Sequence, residues 1–410
     1  MIKKKKLILM GILAIAVALV MGLTSLPGIA EDENYEVEGC TGIIVTGRAA
    51  WDGKTINGEN SDTYPRPSIT KSIRVNEETG IKVIDRLNDQ GVCLAGLAKP
   101  SMPGNYTIGW DWADKDEGYF LEYAYWKADY PELKLPGTKY VLEHARSAKE
   151  AVEMYTSVLP EGTYEIIPVK NAAIASSNFF LSPSGLLQPF NIDKEYSENR
   201  AEIAQELLDQ RSWLKSTTAR GEITIAYVFR IFRDHQFGYD PGATFGHDNT
   251  GNISRWGNVK RTRVTRISEI SQDYTDLLSI WWETPNFSPT SPFLPFYIGI
   301  TEIPKTFADG PTNESGVFQE LFNAVSYNLE CLDEVQAFWE SFEHNILRDR
   351  VRLEKVVKKL VDAGDREEAE RLLTEFSNEK CELAVAYAKE LTKEIVSRGL
   401  VKVDISVFPY

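Results

Sequence analysis

The chain has 410 residues, 43% of them hydrophobic and 26% charged, which is enough apolar material for the packed core of one large domain or two ordinary ones. Its net charge of −15 opposes a phosphate backbone and excludes nucleic acid as an expected partner. The four cysteines, Cys40, Cys93, Cys331 and Cys381, show no C-x-x-C spacing, which argues against both a zinc site and a dense disulfide framework.

Residues 1–30 read as a signal peptide or membrane anchor. Residues 3–6 are all lysine, residues 7–23 are apolar and uncharged, and Gly28 and Ala30 place small side chains at −3 and −1 of a cut after Ala30. The apolar stretch only just approaches the roughly 20 residues that a span requires, so removal is favoured over a retained tether. Residues 31–39 then form a short acidic pro-segment. A lipoprotein reading of Cys40 fits poorly, because Glu38 stands beside the cut and the apolar run ends well before it. If the chain is cut between Gly39 and Cys40, that cysteine carries a free α-amine as well as a thiol. An α-amine with a reference pKa of about 7.7–8.0 can take the thiol proton near neutrality, so one residue supplies nucleophile and base. Gly39 leaves the preceding carbonyl open to the thiol, which makes self-cleavage chemically reasonable.

Residues 41–46 are a β-branched run, Asp52-Gly53 signals a turn, and residues 55–57 begin a return strand, giving a hairpin that starts at the thiol. Asn60 and Asp62 follow on that return strand. A carboxylate beside the N-terminal ammonium would orient it, and an amide donor would stabilise the oxyanion of a tetrahedral intermediate. The cluster Asn60-Ser61-Asp62 is also a common turn former. Residues 91–98 are small and apolar, as a buried strand would be. Tyr106, Trp110 and Trp112 fall at even spacing on one strand face and read as packing more readily than as a cleft lining.

Residues 136–160 enclose a helix with Val141, Leu142, Ala145, Ala148, Val152 and Tyr155 on one side. Asn171 precedes the first of four apolar β-like runs, at 172–181, 222–232, 277–283 and 296–303. Without a βαβ rhythm, these imply an α+β body of mostly antiparallel sheet covered by helices. His235, His247 and Asp248 flank a loop that reads as polar surface rather than a metal site, since the chain has only four histidines. Residues 332–361 and 366–398 have helical spacing and are broken by Asp362-Ala363-Gly364-Asp365. They predict a helical hairpin that packs an apolar stripe on the body, in preference to an interaction arm. Cys331 and Cys381 can pair outside the cell, and free buried thiols fit equally well.

Cys40-Thr41, then Asp52-Gly53, then Gly58-Glu59-Asn60-Ser61-Asp62 resemble the opening of the dipeptidase and secernin branch of N-terminal-nucleophile (Ntn) hydrolases. There a cysteine begins a strand and an R-N-x-D or G-x-N-S-D element returns beside it. Residues 140–152 are similar to that family's helix of the form L-x-x-A-x-T-A-R-E-A. Residues 291–299 with Pro304 resemble its segment S-P-x-x-x-P-x-Y-x-G, and Trp339-Glu340 with Phe342-Glu343 resemble its terminal helix. The similarity runs over most of residues 40–345 and is weakest from 160 to 270.

The resemblance implies a four-layer αββα sandwich over residues 40–330, followed by the helical hairpin at 331–410. It implies a secreted or membrane-tethered cysteine hydrolase of dipeptides or small peptides, with Cys40 as nucleophile and no metal or organic cofactor. Acyl-amino acids or bile-salt-like conjugates are the alternative substrates. Asn60 and Asp62 would serve the nucleophile, and Asn171 sits where related hydrolases can place an oxyanion donor. One departure is Glu59, which stands where many dipeptidases have Arg. Arg66, in the next loop, is the candidate for a replacement substrate-binding cation. The same departure keeps open a non-catalytic surface protein that uses this fold for binding.

Overall fold

The computed structural model describes residues 39–63, 72–98, 105–177, 181–188, 194–211, 221–234, 261–308 and 316–398. All of them belong to the compact unit that begins at Glu38, and the expected leader lies outside them. The first half of the chain contributes β1 (Gly39–Val45), β2 (Thr55–Thr63), β3 (Ile73–Val75), β4 (Lys82–Ile84), β5 (Leu87–Asn88), β6 (Cys93–Ala98), β7 (Asn105–Ala113), β8 (Gly118–Trp126), α1 (Thr138–His144), α2 (Ala148–Thr156), β9 (Tyr164–Val169) and β10 (Ala173–Ser176). The second half contributes α3 (Lys194–Arg211), α4 (Ile225–Phe232), β11 (Arg261–Ile270), α5 (Thr275–Leu278), β12 (Ile280–Glu283), β13 (Leu294–Tyr297), α6 (Lys305–Ala308), α7 (Gly316–Ser326), α8 (Leu332–Asp362) and α9 (Arg366–Ser397).

The fold is mixed α+β with two antiparallel sheets. One has six strands in the order β10-β1-β2-β11-β12-β13, and the other is a seven-stranded meander from β3 to β9. The hairpin expected at the thiol forms: β1 pairs with β2 in the register Cys40↔Ser61, and Gly53 turns the chain at φ +76°. Lys54 N donates to Asp52 Oδ1 at 3.2 Å, the local bond that makes Asp-Gly a turn signal.

Strand alternation assigns the faces. A Cβ on Gly118 of β8 would lie 2.8 Å from Ile44, so the even-numbered residues of β1 face the seven-stranded sheet. A Cβ on Gly58, opposite Ile43, would lie 2.9 Å from the Phe232 ring of α4, so the odd-numbered ones face the helices. Between the sheets, Ile44, Cys93, Ala113 and Phe120 are buried together. On the other side of the seven-stranded sheet, Val141, Val152 and Tyr155 of α1 and α2 cover Trp112, Leu121 and Tyr123. Trp110 and Trp112 thus point toward that helical layer; the side chain of Tyr106 lies outside the described residues.

Two expected elements change character, and the β-like runs at 277–283 and 296–303 are strand only over 280–283 and 296–297. The helix expected over 136–160 is two helices, because the Ser147 hydroxyl accepts from Glu150 N at 3.1 Å and starts a new N-terminus there. The run at 222–232, read as strand-like, is mostly helix α4: Thr224 Oγ1 accepts from Tyr227 N, and Ile225, Val228, Phe229 and Phe232 form one buried stripe. Its β-branched and aromatic content suits a strand, but the helical spacing of its buried residues decides the outcome.

α8 and α9 form the C-terminal helical pair, reversed at Gly364 with φ +85° and capped by Asp365, whose carboxylate accepts from Glu368 N. Val357, Leu373, Cys381, Ala384 and Ala388 join the same buried cluster as the six-stranded sheet. Two buried ion pairs fix α8. Arg350 grips Glu269 of β11 at 2.5 and 2.6 Å, and Arg233 grips Glu343 at 2.7 and 2.5 Å. All four cysteines are buried free thiols, including Cys331 and Cys381. No helix among the described residues is long and apolar enough to cross a membrane.

Candidate functional site

Cys40 lies near the start of β1, 4% exposed, with its side chain on the face that looks toward the seven-stranded sheet. Its carbonyl accepts from Ser177 Oγ at 2.7 Å, which pins this end of the strand from the β10 side. Gly39, whose carbonyl precedes the thiol, is still in the ladder opposite Asp62. The intersheet space changes character along β1. Ile44 has Asn57 beside it on this face, and Glu59, one row nearer Cys40, is met by polar and charged groups from both sides of the space.

The hub of that polar end is Glu59. It stands opposite Gly42, one row along β2 from Ser61, and so shares the face of Cys40 at a separation of about 7 Å along the strand. It is 2% exposed. Gly96 N of β6 donates to Glu59 Oε2 at 2.5 Å, and Arg86 Nη1 donates to Oε1 at 2.6 Å. Arg266, directly opposite on β11, lies at 3.5 Å from Oε1. The guanidinium of Arg266 also faces Asp85 at 3.5 Å and Glu283 at 3.6 Å. Burial works against the charge of Arg266, but Asp85, Glu283 and Glu59 together outweigh it and hold its pKa above the ordinary value.

Two guanidinium groups, those of Arg86 and Arg266, thus flank Glu59. Neither Arg86 nor Arg266 was singled out by the sequence pattern. Arg266 lies 207 residues from Glu59, and no local spacing could have joined them.

The other sequence candidates are not brought to one place. Asn60 sits beside Thr41, so its side chain is on the opposite face from Cys40. There its amide donates to the Phe232 carbonyl at 3.3 Å, and its carbonyl accepts from Thr265 Oγ1 at 2.5 Å. The backbone of Asp62 lies next to the Gly39–Cys40 bond, and its side chain is outside the described residues. Asn171 takes a left-handed conformation, φ +52°, in the turn before β10. Its Oδ1 accepts from Arg48 N at 3.1 Å, beyond the far end of β1 and more than about 17 Å along the strand from Cys40. Arg66, His235, His247 and Asp248 lie outside the described residues. Among the described residues no group of three or more His, Cys, Asp or Glu is placed to hold a metal ion.

Cys93 also lies between the sheets. Its Sγ accepts from Asn57 Nδ2 and donates to the Ala113 carbonyl, and burial pushes its pKa up to about 12, so it stays a neutral thiol. Asp111 and Glu122 add buried carboxylates on the inner face of the seven-stranded sheet, where Glu122 accepts from Leu181 N and Ser182 N. No protein-family model matches this chain, and no curated protein matches it significantly.

Proposed function

We propose that the protein is an N-terminal-nucleophile cysteine hydrolase of small peptides, exported by its leader as a secreted or membrane-tethered enzyme. On this reading the two sheets and their outer helices are a four-layer αββα sandwich. The observation that carries the reading is the placement of Cys40 at the start of a strand, facing the polar end of the intersheet space, with Gly39 immediately before it.

The chemistry has two stages. In processing, the Cys40 thiol attacks the Gly39 carbonyl, the acyl group moves from nitrogen to sulfur as the C–N bond breaks and frees the α-amine, and water hydrolyses the thioester to release the leader with a Gly39 carboxylate and restore the thiol. In turnover, that amine accepts the thiol proton while sulfur attacks the substrate carbonyl. The proton passes to the leaving amine as the C–N bond breaks, and water releases the acyl group and restores the thiol. Asp62, beside the cut, is proposed to orient the new ammonium. Asn60 and Asn171 lack a shared face or end with Cys40, so any role of theirs is positional. Dipeptides are the proposed substrates, with linear amides such as acyl-amino acids as the alternative within the same chemistry.

A binding module that keeps this fold is the second reading, favoured by the commitment of the Asn60 amide to the opposite face. The deciding experiment is the N-terminal residue of protein expressed with its leader, followed by a dipeptide and amide hydrolysis screen. A start at Cys40 with hydrolysis that disappears in Cys40→Ala supports the enzyme. An internal Cys40 and no hydrolysis supports the module.

A further inference from the structure

Among the described residues, Arg86 is the arginine beside Glu59 whose side chain has open bonding capacity. It lies on the two-residue turn between β4 and β5, where Asp85 takes a left-handed conformation, φ +46°. That turn sends both residues toward the polar end of the intersheet space: Asp85 faces Arg266, and Arg86 reaches Glu59. The two arginines then differ. Arg266 is 5% exposed and surrounded by three carboxylates, so it balances buried charge. Arg86 has a side chain 29% exposed, and among the described residues Nη1 alone of its three guanidinium nitrogens has a partner, the buried Glu59. The residue beside it is glycine: a Cβ on Gly96 would stand 2.5 Å from the Trp110 ring, which would have to shift, and 3.4 Å from Nη1, an ordinary contact.

A partly exposed guanidinium held by one nitrogen against a fixed carboxylate is preorganised to receive a second carboxylate. Both substrate classes proposed above carry one, on the amine that leaves. Glu59, which holds Arg86, lies one row from Cys40 on the same face, and only a few bonds separate the scissile carbonyl of such a substrate from its terminal carboxylate.

We propose that Arg86, braced by Glu59, is the specificity-determining residue of this site and binds the carboxylate on the leaving side of the substrate. This rests on the hydrolase reading, so the test separates the two. The probe is the reduced-bond analogue of alanyl-alanine, with CH2–NH in place of the peptide, together with its C-terminal amide. Their binding to the purified full chain is measured by calorimetry for the unaltered protein, Arg86→Gln and Arg86→Lys, with melting temperatures to show that each variant is folded. The unaltered protein is expected to bind the acid roughly tenfold or more tightly than the amide. Arg86→Gln abolishes that preference, and Arg86→Lys, which keeps the charge but loses the planar fork, retains part of it. Equal binding of acid and amide by the unaltered protein, or an undiminished preference in folded Arg86→Gln, overturns the assignment. Hydrolysis of alanyl-alanine is scored separately: a protein that prefers the acid but cuts no peptide keeps the role of Arg86 and loses the hydrolase reading.

Discussion

At the scale of single residues, the four thiols are expected to divide by environment. Burial pushes Cys93 up to about 12 and Cys381 well above the ordinary thiol value, so neither presents a thiolate at neutral pH. Iodoacetamide on the native protein should leave both unlabelled and modify them only after denaturation; native labelling of either would contradict this packing. Cys40→Ala is expected to lower peptide hydrolysis by about a thousandfold or more and to leave Gly39 attached, checked by intact mass and initial rates. The strand that begins beside Cys40 was legible in the sequence, because the β-branched run after it is a local signal. The orientation of Asn60 was not legible. Whether Ser61 or Asn60 stands opposite Cys40 depends on strand register, and a slip of one residue exchanges the two faces. The turn length between the strands settles that register, and the structure places Ser61 there.

Among the elements, β11 and α8 are joined through the buried ion pair of Glu269 with Arg350. Burial alone would raise the pKa of Glu269, yet Arg350 and Lys54 outweigh it and hold the carboxyl far below its usual range. A carboxyl depressed in the folded state contributes stability that is complete above its unfolded value near 4.5 and is lost as the pH falls below that toward the folded value. The melting temperature should therefore fall steeply below pH 4.5, and Glu269→Gln should flatten that limb while lowering the plateau; parallel curves for the two proteins would exclude Glu269 as the source. Arg350→Met, which strips one partner from a buried carboxylate, is expected to cost about 3–5 kcal/mol in chemical denaturation. The two helices of the hairpin were legible because their spacing persists over some thirty residues each. The ion pairs that dock them were not. α4 was misread because an eight-residue run that is apolar or aromatic apart from Arg230 satisfies a strand pattern nearly as well as a helical one.

Across the whole molecule, one buried cluster runs from Ile43 in the first strand to Ile395 in the last helix, so the C-terminal pair is part of the core. A chain ended before Leu332 would expose the surfaces of β13 and α7 that α9 covers, and is expected to be recovered in inclusion bodies; a soluble, cooperatively melting fragment would show that the pair is dispensable. The mixed α+β composition with antiparallel sheets followed from runs of apolar residues lacking a βαβ rhythm. The pairing of β2 with β11 did not, because 198 and more residues separate the partners and only the folded sheet joins them. Gly39 lies within the β1–β2 ladder, so on the proposed chemistry sulfur and carbonyl are presented to each other only in molecules whose first strand has already found its neighbour. The cut then works as a timestamp of folding. The fraction of chains that start at Cys40 counts the molecules that have reached the native sheet, and a weakened variant would reveal itself as a surplus of long chains while each shortened one still works at full rate.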